Sequence, residues 1–189
     1  MKLVVGITGA TGAPIAIRTL ELLRELDVET HLVFSQWAKT TVGIECAGWR
    51  FEDVISLAHA VYDNKNLAAR ISSGSFRHDG MIIVPCSMKT VASIRTGLSD
   101  SLISRAADVT LKERGKLVLA VRETPLSSIH LDNLLALSNF GAQIFPLMAA
   151  YYNSPQTIDD INTHLAVRIL DQLGLSHPTA NRWRQEDSR

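Results

Sequence analysis

Short runs of β-branched and other apolar residues alternate along this chain with longer segments in which apolar positions recur every three or four residues. The short runs predict β-strands at Lys2 to Ile7, Thr30 to Phe34, Gly80 to Val84, Lys116 to Val121 and Ala142 to Phe145. Strands that alternate with helices are typical of a mainly parallel sheet covered on both faces. We therefore predict a three-layer, doubly wound α/β fold of the Rossmann or flavodoxin-like type.

The longer segments predict helices with one apolar side. The first runs from Pro14 to Leu26, and a proline is well placed in the first turn of a helix. Further helices are predicted near Val91 to Ile94, from Leu102 to Glu113, from Ile129 to Phe140 and from Ile158 to Leu173. We expect one domain over residues 1–175, ending in a helix. A polar tail over residues 176–189 would then either pack on a neighbouring subunit or remain free.

Composition narrows the possible partners. Of the 189 residues, 46% are hydrophobic, which is enough for a sizeable core. Lysine plus arginine and aspartate plus glutamate number 19 each, so no overall field attracts nucleic acid or an anionic membrane, and any anion site must be local. The sequence shows no secretory signal and no run of 18 apolar residues, which predicts a cytoplasmic protein.

Cysteine and histidine spacings predict neither a disulfide nor a metal site. Cys46 and Cys86 lie 40 positions apart without a CxxC motif, and we expect buried thiols. The six histidines include no HxxxH pair or other ligand spacing.

The chemistry of an open α/β sheet lies just beyond the carboxyl ends of its strands. After the first predicted strand comes a loop with glycines at positions 6, 9 and 12. These glycines allow close backbone approach, and the loop amides with the following helix could hold a phosphate. Their spacing is not GxGxxG, so the dinucleotide fingerprint is absent. A simple strand-to-helix turn is the other interpretation.

Hydroxyl groups follow the next two strands. Ser35 stands where a dinucleotide site would carry an acidic residue, and a hydroxyl suits phosphate better than ribose. After the third strand, the segment PCSMKT, residues 85–90, places two hydroxyls at a helix start. It could cradle an anion or a flavin edge, or form an ordinary N-cap.

Arg122 and Glu123 follow the fourth predicted strand and precede a proline. Adjacent side chains in extended backbone point in different directions, so the two residues are predicted to perform separate tasks. One could bind phosphate while the other moves protons. An exposed surface loop is the alternative.

Six segments, in this order, resemble the flavin prenyltransferases of the UbiX/Pad type: GITGATGAP, SSGSF, PCSMKT, TGLSDSLISRAADVTLKER, VRETPLSSIHL and YYNSP. The resemblance covers nearly the whole chain. Related flavoproteins that oxidatively decarboxylate cysteine derivatives typically carry a PASANT-like segment in place of PCSMKT, which favours the prenyltransferases.

The resemblance implies FMN as cofactor. The residues that match FMN contacts in the family are Gly9, Ala10, Thr11, Ser35, Ser87, Met88, Lys89, Thr90 and Arg122. Most family members have serine at the position of Thr11, which keeps the hydroxyl and adds a methyl group.

The resemblance also implies a prenyl donor, dimethylallyl phosphate. Its phosphate would be held by Lys112, Tyr152 and Arg168, with Arg122 nearby, and Trp183 would offer an aromatic face. Taken alone, Lys112 could belong to a solvated helix end, Arg168 to an interhelix ion pair and Tyr152 to the core, with Tyr151 as a close competitor.

The implied reaction joins a dimethylallyl group to N5 and C6 of reduced FMN without a metal. Arg122, Lys112 and Arg168 would stabilise the departing phosphate. Glu123, assisted by Glu45, would accept the proton lost on ring closure, although Glu45 taken alone reads as a helix-surface acid. Prenylated FMN would then serve a partner decarboxylase of the UbiD type acting on aromatic or unsaturated acids.

Family members are large homo-oligomers, dodecamers by this resemblance, whose active sites are shared between neighbouring subunits. Two other functions stay open at the level of sequence. One is a conventional flavin oxidoreductase or cysteine-type oxidative decarboxylase, and the other is a carrier that delivers FMN without catalysis.

Overall fold

The computed structural model describes residues 1–179 and contains one sheet of six strands in the order β3-β2-β1-β4-β5-β6. The strands are β1 (Lys2–Ile7), β2 (Glu29–Phe34), β3 (Ala60–Asp63), β4 (Gly80–Cys86), β5 (Leu117–Val121) and β6 (Gln143–Pro146). The helices are α1 (Ala13–Glu25), α2 (Gln36–Glu45), α3 (Phe51–Ile55), α4 (Met88–Thr96), α5 (Leu102–Lys112), α6 (Ser128–Asn139) and α7 (Ile158–Asp171).

Every pair of neighbouring strands is parallel, so the doubly wound α/β prediction is confirmed. From β1 the chain first builds outward through β2 and β3, then returns to β4 on the other side of β1 and continues to β6. The winding direction reverses between β1 and β4. In such sheets this reversal opens a crevice at the carboxyl edge.

Alternating side chains of β1 join two separate cores. Leu3 and Val5 pack with residues of α1 and α7 on one face of the sheet, while Val4 packs with residues of α4 and α5 on the other. All three side chains are fully buried. A strand covered on both faces reads as a continuous apolar run, which explains why β1 was visible in the sequence.

All five predicted strands are present, but β3 was missed. It has four residues, lies at the edge of the sheet and alternates between half-buried and exposed positions. Its sequence AVYD therefore lacks the apolar continuity of the central strands. The strand β4 also continues to Cys86, two residues beyond the predicted end.

Helices α2 and α3 were not predicted either. In α2 only Ala38 and Val42 are buried, and threonines and a glycine occupy much of the remainder, so the apolar period is weak. Its clearest signal is Ser35, whose side chain accepts a hydrogen bond from the Ala38 amide as an N-cap.

Hydroxyl side chains cap the N-terminus of every helix that follows a strand at the carboxyl edge except α1. The capping residues are Ser35, Ser87, Ser127 and Thr157, and Ser101 caps α5 in the same way. The sheet thus aims several helix N-termini, each with partial positive charge, towards one edge. None of the helices within residues 1–179 combines the length and apolar character needed to cross a bilayer.

We expect Leu20→Ala in α1 to lower the free energy of unfolding by about 2–5 kcal/mol, because this side chain is fully buried and its removal leaves a cavity. Urea denaturation at a fixed protein concentration measures the change. The matched variant Leu67→Ala removes a side chain that is 46% exposed and should change stability by about 0.5 kcal/mol or less. Equal losses in the two variants would contradict the position of the core.

Candidate active site

A cleft of about 220 Å³ lies at the carboxyl edge, where the sheet reverses direction. It is lined by residues from the loops after β1, β2 and β4 and from the start of α5. Five of the predicted FMN-binding residues line it: Gly9, Ser35, Ser87, Lys89 and Thr90. The structure therefore brings together segments that are separated by about half of the chain.

Thr8 ties two of these loops together. Its buried hydroxyl donates to the Pro85 carbonyl at 2.6 Å and accepts from the Ser87 amide at 3.0 Å. The loop after β1 is thereby fixed against the loop after β4, so both walls of the cleft are held at one spacing. Sequence analysis missed Thr8, because an isolated threonine beside a glycine-rich turn carries no distinguishing signal.

Glycine at position 9 permits the close packing of the first two loops. A Cβ added to Gly9 would overlap Cβ of Trp37, the second residue of α2. Trp37 lines the cleft with a side chain that is 72% exposed. An exposed indole that lines a cleft can pack against a flat ring, and sequence analysis did not identify it.

Glu45 holds the other end of the glycine loop. Its Oε2 atom accepts hydrogen bonds from the amides of Gly12 at 2.8 Å and Ala13 at 2.9 Å. These amides begin α1, where a carboxylate is favoured by the helix dipole. The structure thus gives Glu45 a definite task in shaping the loop, whereas its assistance in proton removal stays a prediction.

Ser87 both caps α4 and lines the cleft. The PCSMKT segment is therefore an N-cap and also part of the surface that could cradle an anion or a flavin edge. Its Oγ accepts from the Thr90 amide at 3.4 Å and lies 3.1 Å from the Thr90 hydroxyl. Lys89 adds a positive charge that Asp100, at 4.0 Å, partly offsets. Hydroxyls, helix amides and an ammonium group together suit the phosphate and polar edge of a nucleotide.

The far wall of the cleft comes from a junction that sequence analysis missed. Asn64 follows β3, and its Oδ1 accepts from the Ile103 amide at 3.0 Å while its carbonyl accepts from the Leu102 amide. These contacts hold the start of α5 against the end of β3. Without β3 in the prediction, nothing indicated that Asn64 and Ser101 would face the glycine loop.

Arg122 and Glu123 lie beside the end of β4 with exposed side chains. The Arg122 amide donates to the Cys86 carbonyl at 3.2 Å, which places this dipeptide next to the PCSMKT loop. Glu123 Oε1 accepts from the amide of Thr124. Neither side chain lines the cleft, but both start at its border.

Lys112 lies at the opposite end of α5 from the cleft. The first turn of α5 lines the cleft, and the helix has 11 residues, about 16 Å at 1.5 Å per residue. Lys112 is exposed and pairs with Glu113, which lowers the pKa of that carboxyl. Within a single chain, the structure does not bring Lys112 to the cleft.

Lys112 instead packs against the SSGSF segment. A Cβ added to Gly74 would overlap the Glu113 carboxylate and lie 3.0 Å from Lys112 Nζ. The hydroxyls of Ser73 and Ser75, on either side of Gly74, are exposed and 2.9 Å apart. Two segments that carry the family resemblance are thus neighbours at this corner.

A third location brings together Tyr152, in the loop before α7, and Arg168, on α7 itself. The Tyr152 hydroxyl lies 3.3 Å from Nε2 of His164, and Arg168 follows one turn later, paired with Asp171 at 2.6 Å. Trp183, by contrast, lies outside the described residues. Lys112 therefore lies on one surface of the chain and Tyr152 with Arg168 on another, and none of these three residues lines the cleft.

Neither cysteine is a nucleophile candidate. Burial, with the neighbouring Glu45 charge, raises the pKa of the Cys46 thiol to about 11, and burial also raises the pKa of Cys86. Both thiols are free, buried and protonated near neutral pH. Among residues 1–179, no three His, Cys, Asp or Glu side chains are grouped as metal ligands would be.

Comparison with known proteins bears on what occupies the cleft. The profile of the flavoprotein family matches residues 1–169. The chain belongs to the flavoprotein family. It is 58% identical over 184 residues to a probable UbiX-like flavin prenyltransferase of Escherichia coli O157:H7, and the match covers 97% of this chain and 93% of that protein.

Two solved structures are similar over almost their full length. A dodecameric FMN-dependent UbiX-like decarboxylase from Escherichia coli O157:H7 superposes with a TM-score of 0.95 at 57% identity, covering 97% of this chain and 100% of the other. AnUbiX (PadA1), in complex with FMN and dimethylallyl pyrophosphate, superposes with a TM-score of 0.94 at 50% identity, covering 96% of each chain.

The cleft of this flavoprotein fits FMN by its own chemistry. The missing Cβ of Gly9 lets Trp37 pack directly on the glycine loop, which places an indole beside the cleft that the loop lines. Ser35, Ser87 and the helix N-termini behind them supply donors for a phosphate or a polar ring edge. The lining matches five of the nine residues implied by the family resemblance.

We expect Gly9→Ala to weaken FMN binding roughly 5- to 150-fold, because overpacking a tight contact costs about 1–3 kcal/mol. Quenching of flavin fluorescence on titration measures the dissociation constant. Gly43→Ala is the matched control, since a Cβ there meets nothing within 4 Å and alanine favours the helix. Equal affinity in the wild type and the Gly9 variant would show that the packing of the glycine loop on Trp37 does not shape the FMN site.

Proposed function

We propose that this chain is a flavin prenyltransferase, which transfers a dimethylallyl group from dimethylallyl phosphate to N5 and C6 of reduced FMN. The observation that carries the proposal is the cleft of amides and hydroxyls in a chain that matches flavin prenyltransferases over nearly its whole length. The product would be prenylated FMN for a UbiD-type decarboxylase.

The residues after β1, β2 and β4 would hold FMN. Ser35, Ser87 and Thr90 would bind its polar groups, while Trp37 would cover a ring face at the mouth of the cleft. Bound reduced FMN supplies the nucleophilic N5 and C6 atoms. The task of the protein is then to hold the donor, stabilise its leaving phosphate and remove one proton.

Stabilisation of the leaving phosphate requires cations around the allylic C–O bond. Breaking this bond gives both bonding electrons to the phosphate, and preorganised positive charge lowers the cost of that charge development by several kcal/mol. Arg122 starts at the border of the cleft of its own chain. Lys112 and Arg168 would come from neighbouring subunits, because one chain alone holds them on other surfaces.

The SSGSF corner supports this assignment of Lys112. The exposed hydroxyls of Ser73 and Ser75 flank Gly74, whose missing Cβ leaves room for the Lys112 ammonium group and the Glu113 carboxylate paired with it. Hydroxyl donors beside an ammonium group suit a phosphate dianion. This corner would face the cleft of another subunit.

Glu123 would accept the proton that leaves as the new ring closes. Its side chain is exposed at the border of the cleft, one residue beyond Arg122, so the leaving phosphate and the departing proton have separate partners. Glu45 would assist through the glycine loop, whose end it holds. As the C–O bond breaks, N5 forms the first bond and loses its proton. Ring closure then uses the allylic double bond, which takes up one proton, while C6 forms the second bond and releases its proton, so that one proton is lost in total.

Exposed apolar residues support assembly into a homo-oligomer, with the dodecamer as the proposed size. Ile129 and Leu135 on α6 are 69% and 63% exposed, and Met148 and Tyr151 in the loop after β6 exceed 70%. Large apolar side chains left this exposed suit a contact with another chain. Assembly would also bring the separated donor-binding residues to one site.

The proposal is tested by mass spectrometry of the flavin after anaerobic incubation of the protein with FMN, a reductant and dimethylallyl phosphate. A gain of one C5H8 unit is expected. Unmodified FMN on folded, flavin-bound protein would contradict the proposal. Substrate-dependent flavin reduction without the donor would favour an oxidoreductase, and release of intact FMN to an acceptor protein would favour a carrier.

We expect Glu123→Gln to slow the formation of prenylated FMN about 10²–10⁴-fold, the usual contribution of a positioned proton acceptor. Binding of FMN should be unchanged, because the amide keeps the size of the side chain. The rate is measured by single-turnover mass spectrometry. Glu52→Gln, at an exposed site on α3, is the control. A Glu123 variant as fast as this control would remove Glu123 from the proton step.

We expect the inactive variants Lys112→Ala and Glu123→Gln to complement each other when they are co-expressed. If each site takes Lys112 from one subunit and Glu123 from another, random assembly leaves about a quarter of the sites intact. Prenyl transfer by the purified mixture measures the recovery, and each variant expressed alone serves as its control. No recovery from a mixed oligomer would place both residues on one chain of the site.

A further inference from the structure

His164 is a buried histidine that the proposed reaction does not yet use. It lies in the second turn of α7 and is 8% exposed, and its Nε2 atom lies 3.3 Å from the hydroxyl of Tyr152. The two rings meet edge to face, with centroids 5.6 Å apart and an interplanar angle of 84°. A hydrogen bond and a ring contact together fix both the position and the tilt of the phenol.

The loop that carries Tyr152 gives this contact its importance. Residues 147–157 contain no helix or strand, and Tyr151 beside it is 73% exposed. The α7 helix, in contrast, packs on α1 through buried residues such as Leu165 and Ile169. His164 therefore links a phenol on an irregular segment to a rigid element.

The electrostatic surroundings keep His164 neutral. Its burial, together with the positive charge of Arg168 one turn later, lowers the pKa of the imidazole, and Asp171 opposes this only in part. Arg168 is itself held by Asp171 at 2.6 Å. A neutral imidazole has one N–H donor and one acceptor nitrogen, so it can serve the phenol in either direction.

Whether the Tyr152 hydroxyl can also donate to a phosphate depends on which residue is the donor in its hydrogen bond with His164. A phenol has one O–H group, and it can donate that proton either to His164 or to a phosphate oxygen. If Nε2 of His164 carries the proton, the imidazole donates to the phenol oxygen, and the hydroxyl proton of Tyr152 is then not used in this contact. The same contact then both orients the phenol and makes it a better donor.

We propose that His164 is a positioning residue, which holds the Tyr152 hydroxyl in the orientation that binds the phosphate of dimethylallyl phosphate. The inference rests on the proposed function, because that function assigns the donor phosphate to Tyr152. It adds a residue that lies outside the six segments carrying the family resemblance, and it places the Tyr152 phenol against α7, the helix that carries Arg168.

The experiment is a double-variant cycle on the full-length, FMN-loaded oligomer, with isothermal titration calorimetry of dimethylallyl phosphate as the primary measurement. The single variants are Tyr152→Phe and His164→Leu, and the leucine keeps apolar volume in the helix while removing the hydrogen bond. Each should raise the dissociation constant about 3- to 10-fold, the effect of one lost hydrogen bond. The double variant should be no weaker than either single variant, because both changes remove the same contact.

Three further measurements separate positioning from a structural role. His164→Gln, whose amide can reach the phenol, should recover most of the lost affinity. In the His164→Leu variant, the KM for FMN and the free energy of unfolding should stay close to the wild-type values, while the KM for dimethylallyl phosphate rises. His59→Gln, at an exposed histidine beside the start of β2, should change none of these quantities.

The inference would be overturned if the dissociation constant of the double variant rose by the product of the two single effects. It would also be overturned if His164→Leu weakened donor binding while Tyr152→Phe did not, or if His164→Leu lowered the free energy of unfolding together with the affinity. Failure of the proposed function can be told apart from failure of this inference, because the wild-type protein would then add no C5H8 unit to FMN. The calorimetric cycle would still decide whether His164 acts through Tyr152.

Discussion

The parallel sheet imposes the constraint on which the rest of this structure depends. Parallel strands end at one edge, so the loops after β1, β2, β4 and β5 must meet there, whatever their separation in sequence. Thr8 converts this general tendency into a fixed geometry. Its one buried hydroxyl bonds to both Pro85 and Ser87, and thereby locks the two loops on either side of the reversal point.

The same constraint explains which parts of the molecule could be predicted from sequence. Central strands such as β1 are buried on both faces, so their apolar runs are unmistakable, and α1 has a wide buried stripe. The edge strand β3 and the polar helix α2 bury little, so tertiary contacts rather than local pattern determine them. The glycine loop, Ser35 and PCSMKT were predictable because strand ends position them directly.

Residues that act across loops were much harder to predict. Nothing local marks Thr8, Trp37 or Asn64, since each matters through a contact with a distant segment. Lys112 and Arg168 illustrate a different limit. Their identities came from the family resemblance, but the fold of one chain places them away from its cleft. Sequence indicates the residue type, whereas only the assembly determines which site it serves.

In the proposed oligomer, different subunits contribute the residues that bind the flavin and those that bind the donor phosphate. One chain would hold the flavin at its carboxyl edge, where it also presents Arg122 and Glu123, while other chains would supply the cations and the phenol that bind the donor phosphate. The most direct test of this claim is a crystal structure of the oligomer with FMN and dimethylallyl phosphate bound. The account predicts Lys112 of one subunit within about 4 Å of a phosphate oxygen in the cleft of another. A donor phosphate bound only by residues of the chain that holds the flavin, with Lys112 facing solvent, would contradict it.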